Sequence, residues 1–267
     1  MNPSHEPHRM NPSADKDRQF ASTLASGIDL LSSYRVGESW LGNKDFAERT
    51  GLSRPTVARL TYTLTVLGYL HRHPDEPRYR LGAAVLGIAH PLLAGMRIRP
   101  IARPLMEALA REIGGAVSLG IRHRAHMVYV ESARADDYFA LPDIGAPLPM
   151  LATAMGRAWL AGATAAERTA VLNQIRVGDR GQYDEHAAAA EAARREYEKD
   201  GFCSSRAQWR PGSHGFAVPI RGIVDANRFV LNCGVPAGKG SFATLRRGVA
   251  PRLVTLAHSI EVLLGLR

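Results

Sequence analysis

The chain has 267 residues, 45% of them apolar and 22% charged, and Lys plus Arg outnumber Asp plus Glu by 34 to 25, for a net charge of +9. That length suits two domains rather than one, and no run approaches the roughly 20 uninterrupted apolar residues of a membrane span, which excludes an integral helical membrane protein. Two cysteines, Cys203 and Cys233, exclude a disulfide framework and are not spaced with His as structural zinc ligands. The positive balance suits a polyanionic partner. Residues 1–80 nevertheless hold 11 basic and 9 acidic side chains, so most of the excess lies beyond them and charge alone does not place a nucleic-acid site.

In chain order, residues 1–19 repeat Met-Asn-Pro-Ser at 1–4 and 10–13 in a composition that cannot bury a core. They are expected to be a disordered tail without a secretion signal, and hence a cytoplasmic protein is expected. A helix is expected from Phe20 to about Tyr34, with Leu24, Ile28 and Leu31 at helical spacing. A second runs over Asn43–Thr50, with Asn43 as its N-cap, Phe46 and Ala47 facing inward and Gly51 ending it. Ser53 caps a third, Pro55 occupies its first turn, and Val57, Leu60, Leu64 and Leu67 form its buried stripe. Two strand-like runs, 69–72 and 78–81, then read as a basic hairpin.

Two short helices joined by a Gly turn and followed by a hairpin, residues 20–81, match a winged helix-turn-helix. The inward stripe leaves Arg54, Thr56, Arg59 and Thr63 outward, where they reach base edges or phosphates of a double-stranded DNA operator. Ser53 is expected at a phosphate, and Arg72, Arg78 and Arg80 along the backbone or in the minor groove. The competing reading is a plain three-helix bundle with solvated arginines. Since one chain carries one reading helix, a homodimer or dimer of dimers is expected.

Residues 82–114 form helix with interruptions at Pro91, Pro100 and Pro104, residues 82–100 serving as a linker helix between domains. The second domain, 101–267, is assigned effector binding and oligomerisation. Strands are expected at 116–121, 127–131, 215–220 and 229–233, and helices at 153–161, 165–175, 185–200 and 247–264. Helices alternating with these strands predict a mixed α/β sensor domain. The stretch Ala152-Thr153-Ala154-Met155-Gly156-Arg157 opens a helix whose amide hydrogens and positive dipole end suit a carboxylate; close helix-to-sheet packing by small residues explains the same motif equally well.

The string DFAERTGLSRPTVARLTYTLTVLGYL followed by YRLG resembles the DNA-binding part of IclR-type regulators. Downstream, AREIGGAVSLG, VYVES, PMLATAMGRAWLA, YEKDGF, FAVPI and NCGVP fall in the order of that family's effector domain, so the resemblance spans about residues 20–265. It implies an α+β fold class whose second domain is a GAF-like sensor, a curved antiparallel sheet with helices, that binds small organic or aromatic acids; no cofactor or metal is expected. By matching order the pocket draws on Thr153, Ala154, Met155 and Gly156, on Ser205 and Arg206 after Gly201, on Gly215, and on Asn232 and Gly234. Arg206 is the expected partner of an acid and Asn232 an orienting group. Met127, Tyr129, Met150, Met155 and Phe216 are either apolar walls or ordinary core. The chain departs from the family pattern at Cys203-Ser204-Ser205-Arg206 with Gln208, where acidic residues are common, and at Asn232-Cys233-Gly234, where Ser is common. The ligand of relatives therefore does not transfer directly.

Two other readings stay open, a small-molecule enzyme and a ligand-sensing module that never touches DNA. For an enzyme, Gly212-Ser213-His214-Gly215 is not the nucleophile elbow and Gly238-Lys239-Gly240-Ser241 lacks the full phosphate-loop pattern. His123 and His126 lack further metal ligands in register.

Overall fold

The computed structural model describes residues 19–136 and 144–267, and the chain divides between Leu92 and Leu93 into two compact units. The expected tail lies outside the described residues except for Gln19. Among the described residues no helix is long and apolar enough to cross a membrane.

The first unit orders as α1 (Ser22–Leu31), β1 (Leu41–Gly42), α2 (Asn43–Thr50), α3 (Arg54–Val66), β2 (Leu70–Arg72) and β3 (Arg78–Leu81). Its core closes on Leu30, Phe46, Val57, Leu60, Leu64 and Leu70. Gly51 ends α2 in the left-handed region at φ 72°, which costs a glycine nothing and turns the chain straight into α3. Ser53 caps α3, its Oγ accepting from the Thr56 amide at 3.4 Å. Three expectations are corrected. The cap of α2 is Gly42, whose amide donates to Asp45 Oδ2 at 2.7 Å, and Asn43 is already helical. Leu67 is not part of the buried stripe but an exposed C-cap, and buried Thr61 takes its place because its hydroxyl donates to the Val57 carbonyl. The helix α1 ends at Leu31 rather than Tyr34 and buries Ser26, Gly27 and Leu30, leaving Leu24 and Ile28 65% and 54% exposed.

The stretch between the sheets is α4 (Ala84–Ala94) and α5 (Ile98–Ile113). The break does not fall at a proline: Pro91 lies inside α4, Pro100 and Pro104 lie inside α5, and the helices part at residues 95–97. Proline removes one helical hydrogen bond but does not oblige the chain to turn.

The second unit adds β4 (Ala116–His123), β5 (His126–Arg134), β6 (Pro147–Pro149), α6 (Ala154–Gly162), α7 (Ala165–Gly178), α8 (Arg180–Asp200), β7 (Cys203–Arg206), β8 (Ser213–Pro219), β9 (Val230–Pro236), a 3-10 turn Ala237–Lys239 and α9 (Phe242–Leu263). The six strands form one antiparallel sheet ordered β6-β5-β4-β9-β8-β7. Strands alternate their side chains between faces. Val117, Leu119, Phe216, Leu231 and Cys233 therefore join α5 and α9 in one core, while Met127, Ala217 and Val230 join α6, α7 and α8 in the other. Three helices are longer than expected, α7 by running on to Gly178. The helix α8 starts at Arg180, where Asp179 caps it through the Gln182 amide, and α9 starts at Phe242, where Ser241 caps it through the Thr244 amide. Burial pushes the Cys233 thiol up to about 12 and raises the Cys203 thiol as well, so both are inert packing residues.

Candidate DNA interface and effector pocket

In the first unit the apolar stripe of α3 faces the core, so its other side presents Arg54, Ala58, Arg59, Tyr62 and Thr63 to solvent. Thr56 is half-buried beside its cap, Ser53 Oγ being engaged with both the amide and the hydroxyl of Thr56. Thr63 donates its hydroxyl to the Arg59 carbonyl, leaving the oxygen as an acceptor. Tyr62, 72% exposed at the middle of this face, was absent from the sequence reading, although helical spacing alone puts it between Arg59 and Thr63.

Beside α3, the three-stranded sheet is ordered β1-β3-β2. Its register sets Arg80 between His71 and Trp40, with the guanidinium 5.3 Å from the centre of the Trp40 ring and His73 edge-on to that ring at 4.8 Å. Arg78 shares this face and pairs with Glu76 at 3.3 Å. Arg72, opposite Tyr79, belongs to the other face. The three hairpin arginines therefore do not form one stripe, and Trp40 rather than Arg72 stands with Arg80.

In the second unit a cavity lies between the sheet and the start of α6, with about 590 Å³ of empty space including its open mouth. Its floor follows from residue size. Cross-strand rows Ser205–Gly215–Gly234–Ala116 and Ala217–Asn232–Ser118 put mostly small side chains on the face toward α6, which leaves part of the floor unfilled although Ser205 Oγ donates to the Ala152 carbonyl at 3.1 Å. Gly215 is the tightest point, since a Cβ there would sit 3.3 Å from that of Ala154. Tyr129 and Leu148 close one side, and Trp209, Arg210 and Ser213 another.

Thr153 is the N-cap of α6. Its hydroxyl accepts from the Gly156 amide at 3.1 Å and donates to the Pro149 carbonyl at 2.8 Å, so Gly156 has no amide to offer a ligand. The amides of Ala154 and Met155 have no acceptor within the helix and carry its positive end. On the floor, the Asn232 Oδ1 is buried without a hydrogen-bond partner among the described residues.

Of the nine expected pocket residues, Thr153, Ala154, Ser205, Gly215, Asn232 and Gly234 line this cavity. Three do not. Met155 packs its sulfur against Gly120, and Gly156 is a packing glycine, since a Cβ there would lie 2.2 Å from the Met150 carbonyl oxygen. Arg206 stacks over Phe242 at 5.9 Å, and Arg210 is the arginine on the cavity wall. Among the suggested apolar walls Tyr129 lines the cavity, whereas Met127, Met150, Met155 and Phe216 are fully buried core.

Ser213 faces the cavity while the adjacent His214 packs edge-on against Phe242 at 5.1 Å, so they do not form a nucleophile and base. Burial and the nearby Arg206 guanidinium lower the His214 pKa and keep it neutral. Among the described residues no group of three or more His, Cys, Asp or Glu could hold a metal ion.

Residues 90–230 match the model described as bacterial transcriptional regulator IclR C-terminal, and residues 27–74 match the IclR helix-turn-helix domain. The chain belongs to the IclR family. Its relatives include the HTH-type transcriptional regulator TsaQ1/TsaQ2 of Comamonas testosteroni, 32% identical over 90% of this chain and 87% of that protein. An IclR family transcriptional regulator from Brucella abortus superposes with a TM-score of 0.84 at 32% identity, covering 97% of this chain and 98% of the other. An IclR homolog from Microbacterium hydrocarbonoxydans, complexed with 4-hydroxybenzoate, shares the fold at 22% identity and a TM-score of 0.71, over 92% of this chain and all of that one. This IclR-family chain is thus a transcriptional regulator with a helix-turn-helix DNA-binding domain and a C-terminal effector domain.

Proposed function

We propose that this regulator reads its operator through α3, with Arg54, Arg59, Tyr62 and Thr63 toward the bases, Ser53 and Thr56 near a phosphate, and Arg78 and Arg80, which share one face of the hairpin, on the DNA backbone. Its affinity for the operator answers to a small organic or aromatic acid bound over the small-residue floor of the effector cavity. The observation that carries the second part is the cavity itself. The small floor residues leave space beside the start of α6, Ala154 at the positive end of that helix borders it, and Arg210 stands on its wall. The buried acceptor of Asn232 adds a place for a hydroxyl donor. The Microbacterium homolog, bound to 4-hydroxybenzoate, supports the ligand class.

The active species in this reading is a homodimer or dimer of dimers. The exposed Leu24 and Ile28 of α1, with Leu86, Ile88 and Leu92 of α4, are apolar surface that a second copy would cover. The test is calorimetric titration of the full chain with 4-hydroxybenzoate, followed by operator binding with and without it. Saturable binding lost on filling the cavity, with a change in operator affinity, supports the proposal; heat unaffected by the cavity variant contradicts it.

A further inference from the structure

Arg157 lies one turn into α6 from Thr153 and is only 3% exposed. Its Nε donates to the Leu151 carbonyl at 2.7 Å, and Nη1 donates to the Ser204 carbonyl at 3.1 Å and to Gln208 Oε1 at 2.7 Å. Its Nη2 is buried without any partner. Among the described residues no carboxylate pairs with this guanidinium. The acid that acts on it from a distance, Glu196, is already held by the amide and hydroxyl of Ser204 and by Arg246. Burial lowers the Arg157 pKa, yet a guanidinium stays charged in proteins. The effector unit therefore contains a buried cation without a counterion, an arrangement that buried charges ordinarily avoid.

The place of this charge is informative. Gln208, the acceptor of Nη1, has its Oε1 3.4 Å from the hydroxyl of Ser205, which lines the cavity, and it is followed by the cavity residues Trp209 and Arg210. On its own helix Arg157 follows Thr153 and Ala154, which line the cavity too. The unbalanced charge thus lies one layer of side chains behind the wall. We propose that Arg157 is a specificity-determining residue of the effector site, whose buried charge makes the cavity select an anionic ligand over a neutral molecule of the same shape. This rests on the reading of the cavity as the effector site. Since Arg157 acts through space, with Gln208 and Ser205 intervening, it need not touch the ligand. The anion supplies the missing counter-charge, and a unit charge roughly 7 Å away at an effective dielectric of about 20 is enough for at least about a ten-fold preference.

The experiment compares binding of 4-hydroxybenzoate and 4-hydroxybenzamide, one charged and one neutral, to the full chain by calorimetry. The native protein is expected to prefer the acid by about ten-fold or more. Arg157→Met deletes the charge, Arg157→Lys keeps it, and Gln208→Glu sets a carboxylate against an intact guanidinium from an exposed position. Arg157→Met and Gln208→Glu should each cut the preference about ten-fold by weakening the acid, with the amide held within about two-fold and any remainder owed to Arg210 on the wall, whereas Arg157→Lys retains it. If Arg157→Met does not fold, Gln208→Glu decides alone. Full preference in Gln208→Glu, or equal losses for acid and amide, overturns the role of Arg157. A native protein that binds neither compound overturns the cavity reading itself and this inference with it.

Discussion

Replacing Thr153 by Ala removes the N-cap of α6, and its cost can be worked from two hydrogen bonds. The side chain is buried, accepting from the Gly156 amide at 3.1 Å and donating to the Pro149 carbonyl at 2.8 Å. Loss of the cap is worth about 1 kcal/mol. The Pro149 oxygen, deprived of its donor beneath the helix, adds roughly 1 to 2 kcal/mol more. Thr153→Ala should therefore destabilise the effector unit by about 2 to 3 kcal/mol, while Thr153→Ser, which keeps the hydroxyl, should stay within about 1 kcal/mol of native. Urea unfolding of the full chain followed by tryptophan fluorescence reports it, since Trp159 and Trp209 belong to this unit and Trp159 lies in α6 itself. An Ala variant within about 0.5 kcal/mol of native, or a Ser variant as unstable as the Ala one, would refute the capping argument.

Gly156→Ala should cost about 3 kcal/mol or more, because its Cβ would lie 2.2 Å from the backbone oxygen of Met150, and neither the strand end nor the helix start can yield easily; a melting temperature equal to native would count against this. Gly215→Val should abolish binding of 4-hydroxybenzoate at modest cost in stability, as its Cβ comes 3.3 Å from Ala154 and its methyls occupy the cavity floor; unchanged affinity would place the ligand elsewhere. The Arg49 guanidinium, bound to Glu38 at 2.6 and 2.9 Å, holds the Glu38 carboxyl below its ordinary 4.5. A depressed carboxylate stabilises the fold above its unfolded pKa and loses that contribution as pH falls through the folded value. Glu38→Gln should thus cost about 0.5 to 1 kcal/mol at pH 7 and progressively less below about pH 4.5, and a penalty constant down to pH 2.5 would contradict the assignment.

The helix-turn-helix was legible because its signals are local. A Gly after α2, a Ser cap and an early Pro on α3, and apolar spacing at Val57, Leu60 and Leu64 each act within a few residues. The same locality misled at Leu67, which keeps the helical spacing but is the exposed C-cap at which α3 ends before Gly68, at φ 78°. Short strands escaped notice for the opposite reason. β1 is two residues long and β6 three, and what makes them strands is their partners Tyr79 and Arg78, or Met127 and Val128, far along the chain. In the effector unit, motif order brought six residues to one cavity, but Arg206 and Arg210 are not distinguished by spacing. Only the alternation along β7, and the turn after it in which Ala207 has φ 53°, decide which arginine meets the cavity and which stacks on Phe242. Arg157 lay inside a motif read for its backbone, and its missing counterion is a property of the packed interior that no local pattern records.

The central claim is that α3 reads DNA, and a salt titration of binding to the DNA upstream of this protein's own gene tests it most directly. Native protein should bind one such fragment selectively, with log K falling linearly in log salt. Arg54→Ala and Arg59→Ala should each weaken that binding, a phosphate contact reducing the slope by about 1 and a base contact relaxing sequence preference by roughly 1 to 3 kcal/mol. Folded variants that bind the fragment with native affinity, slope and selectivity would contradict the placement of the DNA interface on this helix.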